Sequence, residues 1–319
     1  MVTLDDIRAA ARNLAGVAVR TPLLPVDDLS EQLGTPVFIK PESLQRVGAF
    51  KLRGAYNVVS QLARQGAKGV ITYSSGNHGQ ATAYAAKQFG LRAVIVMPET
   101  VTRAKQDGVK RLGGEVVLAG RTSQDRYTKA MEIAQAESLA VVPPYDHPGI
   151  IAGQGTVGIE IAEDLPDVRT VVVPTGGGGL SAGVATAIKA LKPAATVITV
   201  EPEGAPKFAT SFAKKQRVTL EKTGSVADGL ITLSVGELNY QHLVRAVSRA
   251  ETVSDAAMVA TVRYALDRLK IVLEPSGAAT LAWLRQQKKG SLEGPVVAVL
   301  SGGNVDFDGL TTLLSSGAA

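Results

Sequence analysis

The sequence predicts an α/β fold built on a parallel, doubly wound sheet. Three observations lead there. Short β-branched runs alternate with helical patterns along the chain. Several runs are almost wholly apolar, as strands covered on both faces must be. Three runs lead straight into glycine-rich turns, where open α/β sheets bind ligands. Strands are expected at residues 37–40, 69–73, 93–97, 115–118, 140–142, 170–173, 197–200 and 296–300. Helical patterns lie between them, among them 77–89, 180–191, 255–269 and 276–287. There is no short fixed-period repeat and no low-complexity linker. Residues 315–319 are expected to form a frayed tail.

Length and composition set the function classes. The 319 residues suffice for a large core and for two lobes. Lys and Arg total 34 against 29 Asp and Glu, a net charge of +5. The basic residues are scattered, so a nucleic-acid partner is not expected. No cysteine is present, which excludes disulfides, thiolate nucleophiles and cysteine metal sites. Three histidines, His78, His147 and His242, make a histidine zinc site improbable. No signal peptide and no long apolar run is visible, so a cytoplasmic location without membrane contact is expected.

The strongest local signal is a buried strand at 171–173 running into Gly176, Gly177, Gly178 and Gly179, with a helix from about Leu180. Bare N–H groups at a helix N-terminus make an anion cradle suited to a phosphate. The spacing is neither a Walker A loop nor a dinucleotide fingerprint. A second turn, Ser74-Ser75-Gly76-Asn77-His78-Gly79-Gln80, also opens a helix, and taken alone its polar residues read as caps before they read as chemistry. A third, Ser301-Gly302-Gly303-Asn304, again follows a strand. All three are expected on one sheet edge.

Lys51 lies in the first turn of a helix expected to begin near Gly48, between the apolar Phe50 and Leu52. The helix dipole opposes a cation there, and burial would lower its pKa further. A neutral amine is what Schiff-base chemistry requires.

These segments, with Gly48-Ala49-Phe50-Lys51-Leu52-Arg53-Gly54-Ala55, Ala152-Gly153-Gln154-Gly155-Thr156, Ala227-Asp228-Gly229 and Glu274-Pro275-Ser276-Gly277, resemble the serine/threonine dehydratase and serine racemase family of fold-type II pyridoxal-phosphate enzymes. The resemblance runs in order along nearly the whole chain. It implies a two-lobed, tryptophan synthase β-like architecture with mostly parallel twisted sheets. A small mobile domain at 69–146 would be inserted in a large cofactor-binding domain at 1–68 plus 147–319. It also implies a homodimer and no regulatory C-terminal extension.

The resemblance assigns roles. Lys51 would bond the pyridoxal 5'-phosphate aldehyde and, once freed, remove the substrate α-proton. Phe50 would pack on the ring, and Asn77 would bond its 3'-oxygen. Gly176, Gly177, Gly178 and Gly179 would hold the phosphate, which would protonate the leaving hydroxyl. Ser301 would face the pyridine nitrogen. Ser75 lies where racemases place a second acid/base, though dehydratases carry a serine there too. Ser74, Ser75, Asn77 and His78 would surround the substrate carboxylate, using helix N-terminal N–H groups, and Arg126 lies at a lid position. Tyr145, in an unusual proline-rich stretch, would reach the site. The implied reaction is dehydration and deamination of L-threonine or L-serine to a 2-oxo acid and ammonia, a step of amino-acid metabolism. Serine racemase and 3-hydroxyaspartate ammonia-lyase are the alternatives within the family. A non-catalytic binding protein and a Rossmann-type dehydrogenase are the alternatives outside it.

The pattern departs at the family's divalent-cation site. Glu201 and the Ala205 carbonyl match it, but Lys207 stands where a second carboxylate would be. An ammonium there repels Mg²⁺ or Ca²⁺ and leaves few oxygen ligands, with Glu203 as the candidate to compensate.

Overall fold

The computed structural model describes residues 1–74 and 76–316. It contains two sheets. The larger has six strands in the spatial order Leu24–Pro25, Val37–Pro41, Val296–Leu300, Thr170–Pro174, Thr196–Pro202, Arg249–Val253. All neighbours are parallel except the first pair. The smaller sheet orders Glu115–Leu118, Arg92–Met97, Gly69–Tyr73 and Ala140–Val141, all parallel.

Strand alternation divides the core. Val171 and Val173 join one apolar cluster with Ile7, Ile151, Val184 and Ile188. Val172, one residue out of phase, joins the opposite cluster with Leu29, Met258 and Trp283. The smaller sheet repeats this scheme, with Val70 and Ile95 on one face and Ile71, Val94 and Val96 on the other. Burial on both faces explains why these strands read as continuous apolar runs.

Each expected strand is present within a residue or two of its bounds. Two edge strands were not expected, Leu24–Pro25 and Arg249–Val253. Arg249–Val253 has one fully buried residue, so it carries no apolar run. The expected tail begins instead as the end of a helix, Phe307–Ser316. Leu310, Leu313 and Leu314 of that helix pack on the second core cluster. The helix expected from Gly48 begins at Lys51. Val47 and Gly48 have φ of 58° and 70°, which no right-handed helix accommodates.

Two central helices, Pro148–Asp164 and Gly179–Leu191, cross at glycines. A Cβ at Gly183 would stand 2.3 Å from the Ile151 carbonyl oxygen and 2.6 Å from Gly155 N. Rigid backbone, not a flexible side chain, is in the way. Gly183→Ala is therefore expected to cost about 3 kcal/mol by overpacking. Its chemical-denaturation midpoint checks this, and an unchanged midpoint would show that the two helices separate freely.

Candidate active site

The three glycine-rich turns follow Gly69–Tyr73, Thr170–Pro174 and Val296–Leu300. The first belongs to the smaller sheet and the other two to the larger, so they do not share one sheet edge as expected. They meet instead across a cavity of about 930 Å³ between the sheets. That cavity is lined by Phe50, Lys51, Ser74, Asn77, His78, Arg126, Gly176, Gly177, Gly178, Gly179 and Ser301. Ser75 lies outside the described residues.

Lys51 is the first residue of the helix Lys51–Arg64. Its Nζ donates to the Pro144 carbonyl at 2.8 Å and lies 5.2 Å from the Phe50 ring centroid. Burial lowers its pKa to about 8, with Glu274 opposing the shift. The preceding loop is tied to the third turn. Phe50 N donates to Ser301 O, Gly303 N to Gly48 O, and Asn304 Nδ2 to Val47 O at 2.7 Å. Asn304 also fills the space where Gly48 would carry a Cβ. Beneath the helix, buried Arg53 donates to both oxygens of Glu42 at 2.8 Å and to Glu160 at 2.6 and 2.9 Å. Buried Lys40 reaches the same Glu160 at 2.7 Å. Paired charges thus anchor the helix end that presents an unpaired amine.

The tetraglycine turn is a cradle. The Gly177 carbonyl faces away from the cavity, taken by Asn239 Nδ2 at 2.7 Å and Gly236 N at 2.9 Å. Among the described residues, no group outside the helix and strand ladders accepts from the N–H of Gly176, Gly177, Gly178 or Gly179. Gly178 has φ 97°, which only glycine adopts without strain. A Cβ at Gly177 would fall 2.2 Å from the Tyr145 ring. Tyr145 also lines the cavity. Four bare amides at a helix N-terminus, opposite a buried amine, fit the phosphate and aldehyde ends of pyridoxal phosphate.

Asn77 is oriented from both sides. It donates to Glu274 Oε1 at 2.7 Å and accepts from Asn304 Nδ2 at 2.8 Å. Ser301 Oγ donates to the Ser276 carbonyl at 3.2 Å. Glu274 and Asn304 lay in the recognised motifs, yet their hold on Asn77 was not expected. Burial, reinforced by Asp228, raises Glu274 to about 7.

His78 lies in the first turn of the helix Asn77–Gln88 and lines the cavity, with its ring turned inward. Its Nε2 lies 3.2 Å from the Val142 carbonyl, which can only accept, so Nε2 carries the proton. Burial, then the Lys51 charge, pushes its pKa down to about 3. The neutral ring brings no charge to a carboxylate, so the expected contribution of His78 rests on its backbone N–H in the first helical turn. His147 caps the helix Pro148–Asp164, and His242 binds Val2 N and Thr186, so neither enters the site. Arg126 reaches the cavity half-buried, with its Nε unpaired and its pKa lowered by burial.

Glu201 and Ala205 lie outside this cavity, and their oxygens are engaged by an ammonium. Lys207 Nζ is 2.9 Å from Glu201 Oε1 and 3.1 Å from Ala205 O. Among the described residues no three His, Cys, Asp or Glu side chains gather as a metal site.

Residues 14–302 match the model of the pyridoxal-phosphate dependent enzymes. The chain belongs to that family. It is 38% identical over 319 residues to an L-threonine ammonia-lyase of Thermotoga maritima, covering 99% of this chain and 79% of the relative. It is 37% identical over 314 residues to a serine racemase of Schizosaccharomyces pombe, covering 98% and 97%. Among solved structures, the processed form of threonine deaminase isoform 2 from Solanum lycopersicum superposes with a TM-score of 0.90 at 39% identity, covering 99% of this chain and 87% of that one. The fold-type II architecture expected from the sequence is thereby shown.

A family member must present its lysine as a free amine to capture the aldehyde. The neutral fraction of Lys51 rises as pH passes about 8. Uptake of pyridoxal phosphate by the apoprotein, followed by visible absorbance, is expected to accelerate up to that pH and level off above it. An inflection at the ordinary lysine value of 10.5 would contradict the burial of this amine.

Proposed function

We propose that this enzyme eliminates water and ammonia from a small β-hydroxy amino acid, L-threonine or L-serine, giving a 2-oxo acid. One observation carries the reading: a half-buried amine of lowered pKa shares a cavity with a tetraglycine amide cradle. Bound there, pyridoxal phosphate supplies an aldehyde that captures amines and a ring that withdraws electrons from the α-carbon. Lys51 Nζ would hold the cofactor aldehyde and, as a free amine, would accept the α-proton. The amides of residues 176–179 would hold the phosphate. Asn77, held by Glu274 and Asn304, keeps its second Nδ2 proton for the 3'-oxygen. The free N–H groups at the start of the helix Asn77–Gln88, with Ser74, receive the substrate carboxylate. Arg126 adds a guanidinium at the cavity wall.

Ser301 would offer the pyridine nitrogen a hydroxyl, which cannot hold a pyridinium as a carboxylate would, so the bound ring would be a modest electron sink. The threonine ammonia-lyase and threonine deaminase likenesses support elimination. Serine racemase and 3-hydroxyaspartate ammonia-lyase activity remain the alternatives, since Arg126 could also serve an acidic side chain.

The segment 69–146 forms the mobile lobe in this reading, and its closure excludes water. Lys105 Nζ bonds Asp228 at 2.5 Å, joining the helix Arg103–Arg111 to the turn on the opposite wall. No helix among the described residues is long and apolar enough to cross a membrane. We place the enzyme in the cytoplasm as a homodimer acting on a small amino acid.

Incubation with L-threonine, L-serine and the 3-hydroxyaspartates is expected to release 2-oxo acid and ammonia. Lys51→Ala should lower that rate by roughly 10³-fold or more, as loss of a positioned proton acceptor and of the covalent link does. D-serine without any 2-oxo acid would contradict the reading and favour racemase.

A further inference from the structure

Lys207 is fully buried at the first residue of the helix Lys207–Lys214. Four oxygens surround its Nζ. They are Leu230 O at 2.8 Å, Glu201 Oε1 at 2.9 Å, and the carbonyls of Thr175 and Ala205 at 3.1 Å. Glu201 is itself fixed, accepting from Phe208 N at 2.9 and 3.0 Å and from Ala209 N at 2.8 Å. One carboxylate and three converging carbonyls form the hard-oxygen donor set that a dehydrated cation takes. Here a side chain delivers the cation.

The carbonyls come from segments that matter to the cofactor. Thr175 immediately precedes the tetraglycine turn. Leu230 ends the turn Asp228–Leu230, which lines the same cavity. The two meet directly, since a Cβ at Gly176 would stand 2.6 Å from Gly229 O. Without a positive centre, the converging carbonyl dipoles would repel one another.

We propose that the Lys207 ammonium is a tethered cation that does the structural work of a bound metal ion, pinning the entrance of the phosphate turn so that the site forms without any free cation. Lys207 is a positioning residue, acting through Thr175 and Leu230. The claim rests on the cofactor reading above only for where its effect is felt. The cage itself is testable with the cofactor removed.

The test compares wild type with Lys207→Ala in choline chloride, then adds KCl or CaCl₂. Unfolding temperature is read on holoprotein and apoprotein, and cofactor retention by absorbance after gel filtration. Lys207→Ala is expected to unfold roughly 5 °C or more below wild type and to lose its cofactor faster. Potassium or calcium should restore both with saturation, while wild type responds to neither ion nor to EDTA. A variant that matches wild type, or one that no cation specifically rescues, overturns the proposal. So does a wild type destabilised by EDTA. Should the variant not fold in choline chloride, refolding with potassium or calcium supports the proposal, and failure under every cation overturns it. If wild type takes up no pyridoxal phosphate, the cofactor reading fails while the apoprotein measurement still decides the cage.

Discussion

Holding a lysine amine out of water at the head of a helix is unfavourable twice, because burial and the helix dipole both oppose its charge. Lys51 is in that position, and among the described residues its one hydrogen-bond partner is the Pro144 carbonyl. Much of the surrounding architecture holds it there. The loop before it takes two left-handed residues, one of them a valine, and is tied to the turn that follows Val296–Leu300. The helix behind it is braced by Arg53 on Glu42 and Glu160. The chain carries backbone strain at Val47 in order to aim one amine into the cavity.

The other buried cations show the contrast. Lys40 and Arg53 share Glu160, and Lys207 sits on Glu201. Each is neutralised by a carboxylate, as buried charges must be to avoid a large desolvation cost. Lys51 has no such partner, and burial lowers its pKa to about 8. The carboxylate closest to this role, Glu274, is itself drawn toward its neutral form at about 7. A region short of fixed charge suits the amine of the proposed function, which would be neutral at one stage and accept a proton at another.

Where residues are buried, the sequence was legible. Strands covered on both faces need continuous β-branched runs, so Thr170–Pro174 and Val296–Leu300 stood out. The tetraglycine turn was readable because bare amides, an αL glycine and a following helix have few other uses. Edge elements were not legible: the half-exposed Arg249–Val253 has no apolar run, and Leu24–Pro25 is two residues long. Partnerships over long sequence distances were also hidden. Nothing local in Asn77 announces Glu274 and Asn304, about two hundred residues away. The orientation of the His78 ring, turned inward to the Val142 carbonyl, was hidden in the same way. Motif order gave the family, while side-chain orientation came from the fold.

The central claim is that residue 51 alone carries the cofactor. Loading the protein with pyridoxal phosphate, reducing with borohydride and mapping tryptic peptides by mass spectrometry tests it most directly. The account predicts a stable pyridoxyl adduct on Lys51 and loss of the visible absorbance. An adduct confined to another lysine, such as Lys105 at the cavity wall, or no adduct at all, would contradict it.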